Sequence, residues 1–206
     1  ETILRTRDGG TTWERVHYAP DNEKPLLDVW FADDRRGLAV GAYGTILATD
    51  DGGTSWTARQ VHGEDDFHLN QIVAAPDGSL YIAAEAGHLY RSTDSGVTWT
   101  PLTSPYQGSF FGLLPLTDGP VLAYGLRGNL FRSADQSITW ERIDTRAEET
   151  LTSALPSGPG QFVTGVDGSF QLHAEPGIST VRNEAPGFIA DTTDVLSLAA
   201  SQEVDL

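Results

Sequence analysis

The chain has 206 residues, of which 39% are hydrophobic and 20% charged, and it contains neither cysteine nor methionine. This composition is typical of a folded globular chain, and it excludes disulfides and thiolate chemistry. The formal net charge of -16 repels phosphate backbones, so we expect no nucleic acid as a partner. No apolar run approaches the length that spans a bilayer, so we also expect no direct membrane insertion.

A short motif that begins with Thr or Ser and ends with Trp recurs along the chain. Residues 6–13 read TRDGGTTW, and related segments occupy 49–56, 92–99 and 133–140, while a decayed copy at 173–180 ends in Thr180. The shared residues of these Asp boxes are Asp8, Gly10, Trp13, Asp51, Gly53, Trp56, Asp94, Gly96, Trp99, Asp135 and Trp140. Successive copies are about forty residues apart, which is the period of four-stranded propeller blades.

Each repeat contains four segments with the alternation and composition of short strands. The predicted strands of the four complete repeats are 26–33, 37–43, 45–49 and 55–61; 69–75, 80–85, 88–92 and 98–102; 110–116, 121–125, 129–133 and 139–144; and 151–155, 162–166, 169–173 and 180–183. Glycines recur between the second and third strands, at Gly44, Gly87, Gly128 and Gly168, where a hairpin tip favours positive φ. No segment has sustained helical periodicity, so almost no helix is expected.

The sequences at the two ends of the chain are each predicted to form two strands of one shared blade. Residues 2–6 and 13–17 have the phase of a third and a fourth strand, and residues 194–200 and 203–206 that of a first and a second. The sequence therefore predicts an all-β fold, a β-propeller of five four-stranded antiparallel blades whose ring is closed by the N- and C-terminal strands sharing one blade.

We expect a single domain over 1–206. Its predicted repeat units are about 20–62, 63–105, 106–146, 147–185, and 186–206 plus 1–19. Because Glu1 stands where a tip glycine is expected, a fragment of a larger ring stays open as the alternative.

The Asp-box residues are interpreted as a folding device. An aspartate in this setting accepts hydrogen bonds from the backbone of a turn, glycine supplies positive φ, and tryptophan buries a large ring between blades. We therefore assign no catalytic residue and do not expect an enzyme.

Aromatic and charged residues are predicted to share the face that holds the glycine tips and the connections between blades. The candidate binding residues there are Tyr43, Asp65, Asp66, Phe67, His68, Glu85, His88, Tyr106, Gln107, Phe110, Phe111, Arg127, Arg146, Glu148, Glu149 and Asp167. For Phe110 and Phe111, the usual burial of Phe leaves a place in the channel or core open as the alternative. Aromatic side chains beside charges suit recognition of a protein or a glycan. Segment 62–68 gathers histidines and carboxylates without a known metal-ligand spacing, so we expect a solvated loop, with no metal and no cofactor.

Residues 38–56, which read LAVGAYGTILATDDGGTSW, and residues 3–10, ILRTRDGG, resemble the repeat of the photosystem II stability/assembly factor family. The resemblance implies a seven-bladed propeller in the thylakoid lumen or periplasm that assists membrane-protein assembly through a basic patch. Asp boxes also occur in sialidases, in some endoglucanases and in sortilin-type receptors. This chain departs from the family pattern in its acidity and in the five repeats that it predicts.

Two functions follow as hypotheses. The first is a non-catalytic, exported propeller that acts as a protein-binding scaffold or assembly-factor-like module, with another protein, including a membrane protein, as its partner. Because a chain that starts at Glu1 would already have lost an export signal, we expect a periplasmic or secreted location. The alternative is a glycan-binding or glycoside-hydrolase (sialidase-like) propeller, which stays open because a glycosidase needs only two facing carboxylates.

Overall fold

The computed structural model describes residues 1–63, 66–158, 161–166, 169–174 and 177–178. Within these residues the regular secondary structure is strand apart from two short 3-10 turns, and the strands form one two-stranded and four four-stranded sheets. Every strand pairing in these sheets is antiparallel. The prediction of an all-β fold built from four-stranded antiparallel blades is therefore confirmed.

Each four-stranded sheet follows the chain order, so that neighbouring strands in sequence are neighbours in the sheet. The N-terminal pair consists of β1 (Thr2–Arg5) and β2 (Glu14–Tyr18). Blade 1 contains β3 (Leu26–Phe31), β4 (Gly37–Gly41), β5 (Ile46–Thr49) and β6 (Thr57–Arg59), and blade 2 contains β7 (Leu69–Ala74), β8 (Leu80–Ala84), β9 (Leu89–Ser92) and β10 (Thr100–Pro101). Blade 3 contains β11 (Phe110–Pro115), β12 (Val121–Gly125), β13 (Leu130–Ser133) and β14 (Glu141–Ile143), and blade 4 contains β15 (Ser153–Gly158), β16 (Gln161–Val166), β17 (Ser169–Ala174) and β18 (Gly177–Ile178). Two short 3-10 turns occupy Pro20–Asn22 and Leu126–Gly128.

The fourth strands of blades 1 to 3 are shorter than predicted, because the end of each Asp box belongs to the turn that precedes the strand. The strand predicted at 55–61 is limited to Thr57–Arg59, and the one at 98–102 to Thr100–Pro101. The strands predicted at 180–183, 194–200 and 203–206 lie outside the described residues. The fifth blade and the domain boundaries stay predictions.

Three hydrophobic cores lie between successive blades. Leu38 and Val40 of blade 1 share a core with Ile82 of blade 2, and the next core joins the opposite face of blade 2 to blade 3. A third core joins blade 3 to Leu151 and Ala154 at the start of blade 4. The second strands β4, β8 and β12 are buried along their whole length. For β8 and β12 the reason is that side chains on both of their faces enter cores shared with neighbouring blades.

A polar link repeats between the first strands of successive blades. The Asp28 carboxylate of blade 1 accepts a hydrogen bond of 2.9 Å from the backbone N–H of Ile72 in blade 2. The Gln71 amide oxygen of blade 2 accepts one of 2.7 Å from the N–H of Leu113 in blade 3. Asp28 and Gln71 both lie at a register shift of the first strand, so the bulge turns a polar side chain toward the following blade.

Blade 3 makes the same link with a different residue. Its first strand has a register shift at Gly112, which offers no side chain. The Tyr124 hydroxyl lies in the space beside Gly112, where it accepts a hydrogen bond from the Ala154 backbone of blade 4. Burial raises the pKa of this tyrosine above its ordinary value of 10.0, so the hydroxyl stays neutral. The link therefore occurs at the same position in the three blades, although its acceptor is a carboxylate in blade 1, an amide in blade 2 and a phenol in blade 3.

Candidate functional site

Each Asp box encloses its aspartate in hydrogen bonds from its own turn. The Asp51 carboxylate accepts bonds from the backbone N–H groups of Thr54 and Ser55, each at 2.9 Å, and from the Ser55 hydroxyl at 2.7 Å. The Thr49 hydroxyl donates to the same carboxylate and accepts a bond from the Gly53 N–H. These bonds to Ser55, Thr49 and Thr54 lower the pKa of Asp51 to about 2.

The other three boxes repeat this arrangement. In each of them the pKa of the aspartate is lowered to about 2, chiefly by the hydrogen bond from the hydroxyl of the Thr four residues later. The pairs are Asp8 with Thr12, Asp94 with Thr98, and Asp135 with Thr139. Each carboxylate is bound within its own turn, so the four aspartates do not converge on a shared cavity. The arrangement gives a turn its shape and offers no paired acid and base.

The tryptophans of the boxes differ in their burial. Trp99 is only 6% exposed and packs in the core between blades 1 and 2, whereas Trp13 is 60% exposed. The indole N–H groups of Trp13 and Trp56 donate to the carbonyl oxygens of Gly10 and Gly53. A box tryptophan is thus buried where the preceding blade covers it, and Trp13 has no such cover among the described residues.

The tips between second and third strands lie at the opposite ends of the third strands from the Asp boxes, and the connections between blades join them there. The Gly44 N–H donates to the Phe67 carbonyl, the Glu85 N–H to that of His68, and the Leu126 N–H to that of Ser109. We call this surface the loop face; it comprises the tips 42–45, 85–88 and 126–129 and the described parts of the connections 19–25, 62–68, 103–109 and 144–152. Backbone hydrogen bonds therefore hold these loops in place.

An aromatic and histidine cluster occupies the loop face at blades 1 and 2. The Phe67 ring stacks on the His88 imidazole with 3.7 Å between centroids, and the Tyr43 ring meets that of His68 edge to face at 4.9 Å. Glu85 joins the two halves, because its carboxylate accepts a 2.9 Å bond from the His68 backbone N–H while its carbonyl oxygen lies 3.1 Å from His88 Nδ1. We call these five residues the aromatic cluster.

The second position of each tip presents a different side chain in one fixed conformation. Tyr43, Ala86 and Arg127 have φ of 53°, 54° and 56°, and all three are exposed. The glycine that follows cannot be replaced at two of these tips, since a Cβ at Gly87 or Gly128 would collide with a carbonyl of the adjoining connection. The fold thus holds the tip conformation constant while the exposed side chain varies.

The remaining candidate residues divide between the face and the core. Arg146 is exposed, with φ of 55°, and it follows Thr145, whose hydroxyl donates a 2.8 Å bond to the Gly128 carbonyl beside Arg127. Asp66 is also exposed. Phe110 is fully buried and Tyr106 packs against it, so its place on a binding face was wrong and the alternative of a core residue is correct. Asp65 and Asp167 lie outside the described residues.

Sequence reasoning missed the polar links made by Asp28, Gln71 and Tyr124. A signal existed, because Asp28 is the one polar residue of β3 and Gln71 stands at the same phase of β7, where Asn70 is the only other polar residue. Tyr124 gave no such signal, since its hydroxyl substitutes for a residue on another strand. In the described part of the chain, no group of three His, Asp or Glu side chains is placed to hold a metal ion. The same residues contain no helix that is long and apolar enough to cross a membrane.

Antiparallel four-stranded blades, repeated Asp-box turns and a face of backbone-bound loops define an Asp-box β-propeller. The sequence model of the family described as photosynthesis system II assembly factor YCF48 matches residues 19–180. The chain therefore belongs to this family. A search among curated proteins found no match.

Solved structures share the fold at low sequence identity. The structure titled YCF48 bound to D1 peptide has 24% identity and a TM-score of 0.67, over 87% of this chain and 62% of that one. YCF48 from Cyanidioschyzon merolae has 18% identity and a TM-score of 0.62, over 79% and 58%. A GH74 xyloglucanase from Xanthomonas campestris has 14% identity and a TM-score of 0.66, over 82% and 33%. This chain therefore spans less than two thirds of the length of these structures.

Proposed function

We propose that this protein is a non-catalytic, assembly-factor-like scaffold that binds a segment of another protein on its loop face. The observation that carries the proposal is the aromatic cluster, in which Tyr43 is 53% exposed beside His68 while Phe67 stacks on His88. The structure titled YCF48 bound to D1 peptide supports a protein as the class of partner. Assembly with a membrane protein, and a periplasmic or secreted location, belong to the same proposal.

The aromatic cluster is suited to binding because it is ordered before a partner arrives. The Tyr43 backbone is fixed by the 2.9 Å bond from the Gly44 N–H to the Phe67 carbonyl. Aromatic side chains bury a large area with few rotatable bonds, so a fixed aromatic contact loses little entropy on binding. Residues of this kind supply much of the binding energy at protein interfaces.

Two exposed arginines lie on the same face at blades 3 and 4. Arg127 and Arg146 sit on two turns that the Thr145 hydroxyl joins, and the connection that carries Arg146 also carries the exposed carboxylates of Asp144, Glu148 and Glu149. The charge of this part of the face is therefore mixed. The aromatic cluster favours a partner segment with an apolar or aromatic side chain, and the arginines offer charge-assisted hydrogen bonds to a carboxylate of that segment.

Among the described residues, the resolved pKa shifts supply no candidate for the acid of a glycosidase. A glycosidase acid needs a raised pKa, whereas each described carboxylate with a resolved shift has its pKa lowered, mainly by hydrogen bonds within its own turn or from arginine. The likeness to a xyloglucanase at 14% identity concerns the fold. Glycan cleavage is the alternative, and incubation with xyloglucan or a sialoside followed by measurement of released sugar tests it directly.

The binding experiment uses a fluorescently labelled peptide with the D1 sequence of the similar structure as its probe. We expect Tyr43→Ala to weaken the binding measured by fluorescence anisotropy by roughly 5- to 30-fold, the range of an aromatic residue at the centre of an interface. Ile138→Ala is the matched control, because Ile138 is 72% exposed but lies in an Asp box at the opposite end of the blade. Equal effects of the two substitutions, or no binding by the unchanged protein, would overturn the proposal.

A further inference from the structure

A groove opens between blades 2 and 3, at the end of the blades that carries the Asp boxes. Its volume is about 340 Å³, which is at the lower end of the range of small-molecule sites. Pro101, Leu102 and Ile138 supply the apolar part of its lining, and Ile138 is 72% exposed. The other lining residues carry hydroxyl or amide groups, apart from Arg91, which is the only charged residue in the lining that the structure describes.

Ser137 lines this groove with a backbone conformation that favours glycine. In the first three Asp boxes the same position is occupied by Gly10, Gly53 and Gly96, all with positive φ, whereas Ser137 holds φ of 70°. This conformation is costly for a residue with a Cβ. Backbone strain of this kind is concentrated at functional sites, so we ask what the Ser137 side chain binds.

The Ser137 hydroxyl is buried and has no hydrogen-bond partner in the described part of the chain. The residue is 2% exposed. Its backbone N–H accounts for none of this deficit, because that group donates a 2.8 Å bond to the Ser133 hydroxyl, as in the other boxes. A buried hydroxyl without a partner destabilises the free protein, and a ligand that bonds to it removes this cost.

Arg91 of β9 reaches the same groove with hydrogen-bonding capacity to spare. Its Nη2 atom lies 3.3 Å from the Asp77 carboxylate and donates a 2.9 Å bond to the Ser79 hydroxyl, both in the turn between β7 and β8. Nη1 makes only a long bond of 3.4 Å to the Gln136 amide oxygen, and the buried Nε has no partner among the described residues. Gln136 is exposed, so a stronger acceptor can replace its amide at little cost in packing.

We propose that this groove binds a small carboxylic acid with a short apolar body. The carboxylate accepts hydrogen bonds from the Ser137 hydroxyl and the Arg91 guanidinium, and the apolar body lies against Pro101 and Ile138. A carboxylate is favoured over a neutral acceptor because hydrogen bonds between charged groups are the stronger ones and the charged residue of the lining is a cation.

The surroundings of the groove set a modest affinity. Asp77 shares the charge of Arg91, and the chain as a whole is acidic, so we expect a dissociation constant in the millimolar range for a short acid. The inference is independent of the proposed function, because the groove lies between Asp boxes and the loop face lies at the opposite ends of the third strands.

The test uses sodium hexanoate as the probe and NMR spectra of the full chain labelled with 15N. We expect hexanoate to shift the amide signals of Thr103, Ser137 and Ile138. Hexanamide keeps the apolar body without the charge, and acetate keeps the charge without the body, so each should bind at least about fivefold more weakly. Equal binding of hexanamide would refute the carboxylate, and equal binding of acetate would refute the apolar contact.

Substitutions locate the site. Ser137→Gly keeps the turn, since glycine holds this position in three other boxes, and it should weaken hexanoate binding about fivefold. Ser95→Gly is the matched control, because Ser95 also has positive φ, at 60°, but it lies in the neighbouring box and lines the cleft between blades 1 and 2. We expect this control to bind hexanoate as the natural protein does.

Arg91→Lys tests the second donor. It keeps the positive charge but lacks the Nε–H, so it should weaken hexanoate binding by a similar factor. Arg59→Lys, in the cleft between blades 1 and 2, is its control and should leave the binding unchanged. The proposal is overturned if the natural protein does not bind hexanoate, if the shifted signals lie away from the groove, or if Ser137→Gly and Arg91→Lys bind as tightly as their controls.

Discussion

At the scale of single residues, the two residues that follow the aspartate of each Asp box determine how much backbone strain that copy of the turn has. Gly52 and Gly53 hold φ of 71° and 79° at these positions, whereas Gln136 and Ser137 hold 60° and 70°. Left-handed backbone is costly for residues with a Cβ, so the fourth box is strained where the second is not. All four turns nevertheless keep one shape, because the aspartate and the hydroxyl before it bind the same backbone groups in each.

We expect Ser137→Gly to stabilise the protein by about 1 kcal/mol, which corresponds to roughly 2–4 °C in Tm. The substitution relieves the φ of 70° and removes a buried hydroxyl that has no hydrogen-bond partner among the described residues. The bond from the Ser133 hydroxyl uses the backbone N–H of residue 137 and is kept. Chemical denaturation measures the change.

Gly53→Ser is the reverse substitution at the same position of the second box. It forces a side chain into φ of 79°, close to Trp56, and should lower stability by a similar amount. A gain in Ser137→Gly without a loss in Gly53→Ser would mean that the removed hydroxyl, and not the backbone strain, sets the effect.

At the scale of elements, strand positions were predictable from the sequence because alternation and turn glycines are local signals. The aspartate contacts of the Asp box were predictable for the same reason, since each bond spans at most four residues. For Phe110 the sequence left both a binding face and the core open, because its burial depends on contacts with Phe131 and Tyr106 that no local pattern reports. The links of Asp28 and Gln71 were missed for the same physical reason: donor and acceptor belong to different blades.

The link between blades 2 and 3 predicts a specific loss of stability. Gln71→Ala removes the acceptor of the Leu113 N–H and leaves that buried donor without its bond, which should cost about 1–3 kcal/mol. Gln71→Glu keeps a side-chain oxygen of the same reach and should cost less. Urea unfolding measures both losses, provided that the dependence of the free energy of unfolding on urea concentration is the same for each variant. Equal losses would show that side-chain packing and not the hydrogen bond stabilises this interface.

At the scale of the whole molecule, the copies of the Asp box act together against a chain of net charge -16. Acidification first neutralises carboxylates with ordinary pKa values, and this relieves repulsion across the acidic surface. Protonation of the four Asp-box aspartates has the opposite effect, because it lowers the free energy of unfolding. Their pKa values are lowered from 3.8 to about 2 in the folded protein, so each contributes stability that is complete above pH 4.

We therefore expect acid unfolding to begin only below about pH 4 and to steepen toward pH 2, because protons then bind the unfolded chain more tightly than the folded one. Asp51→Asn isolates one box, since the amide lacks the charge that the turn donors stabilise. The stability difference between the natural protein and Asp51→Asn should be constant above pH 4 and shrink as the pH falls through the window from 3.8 to about 2. A stability difference between the natural protein and Asp51→Asn that stays constant through this window would contradict the role assigned to the box.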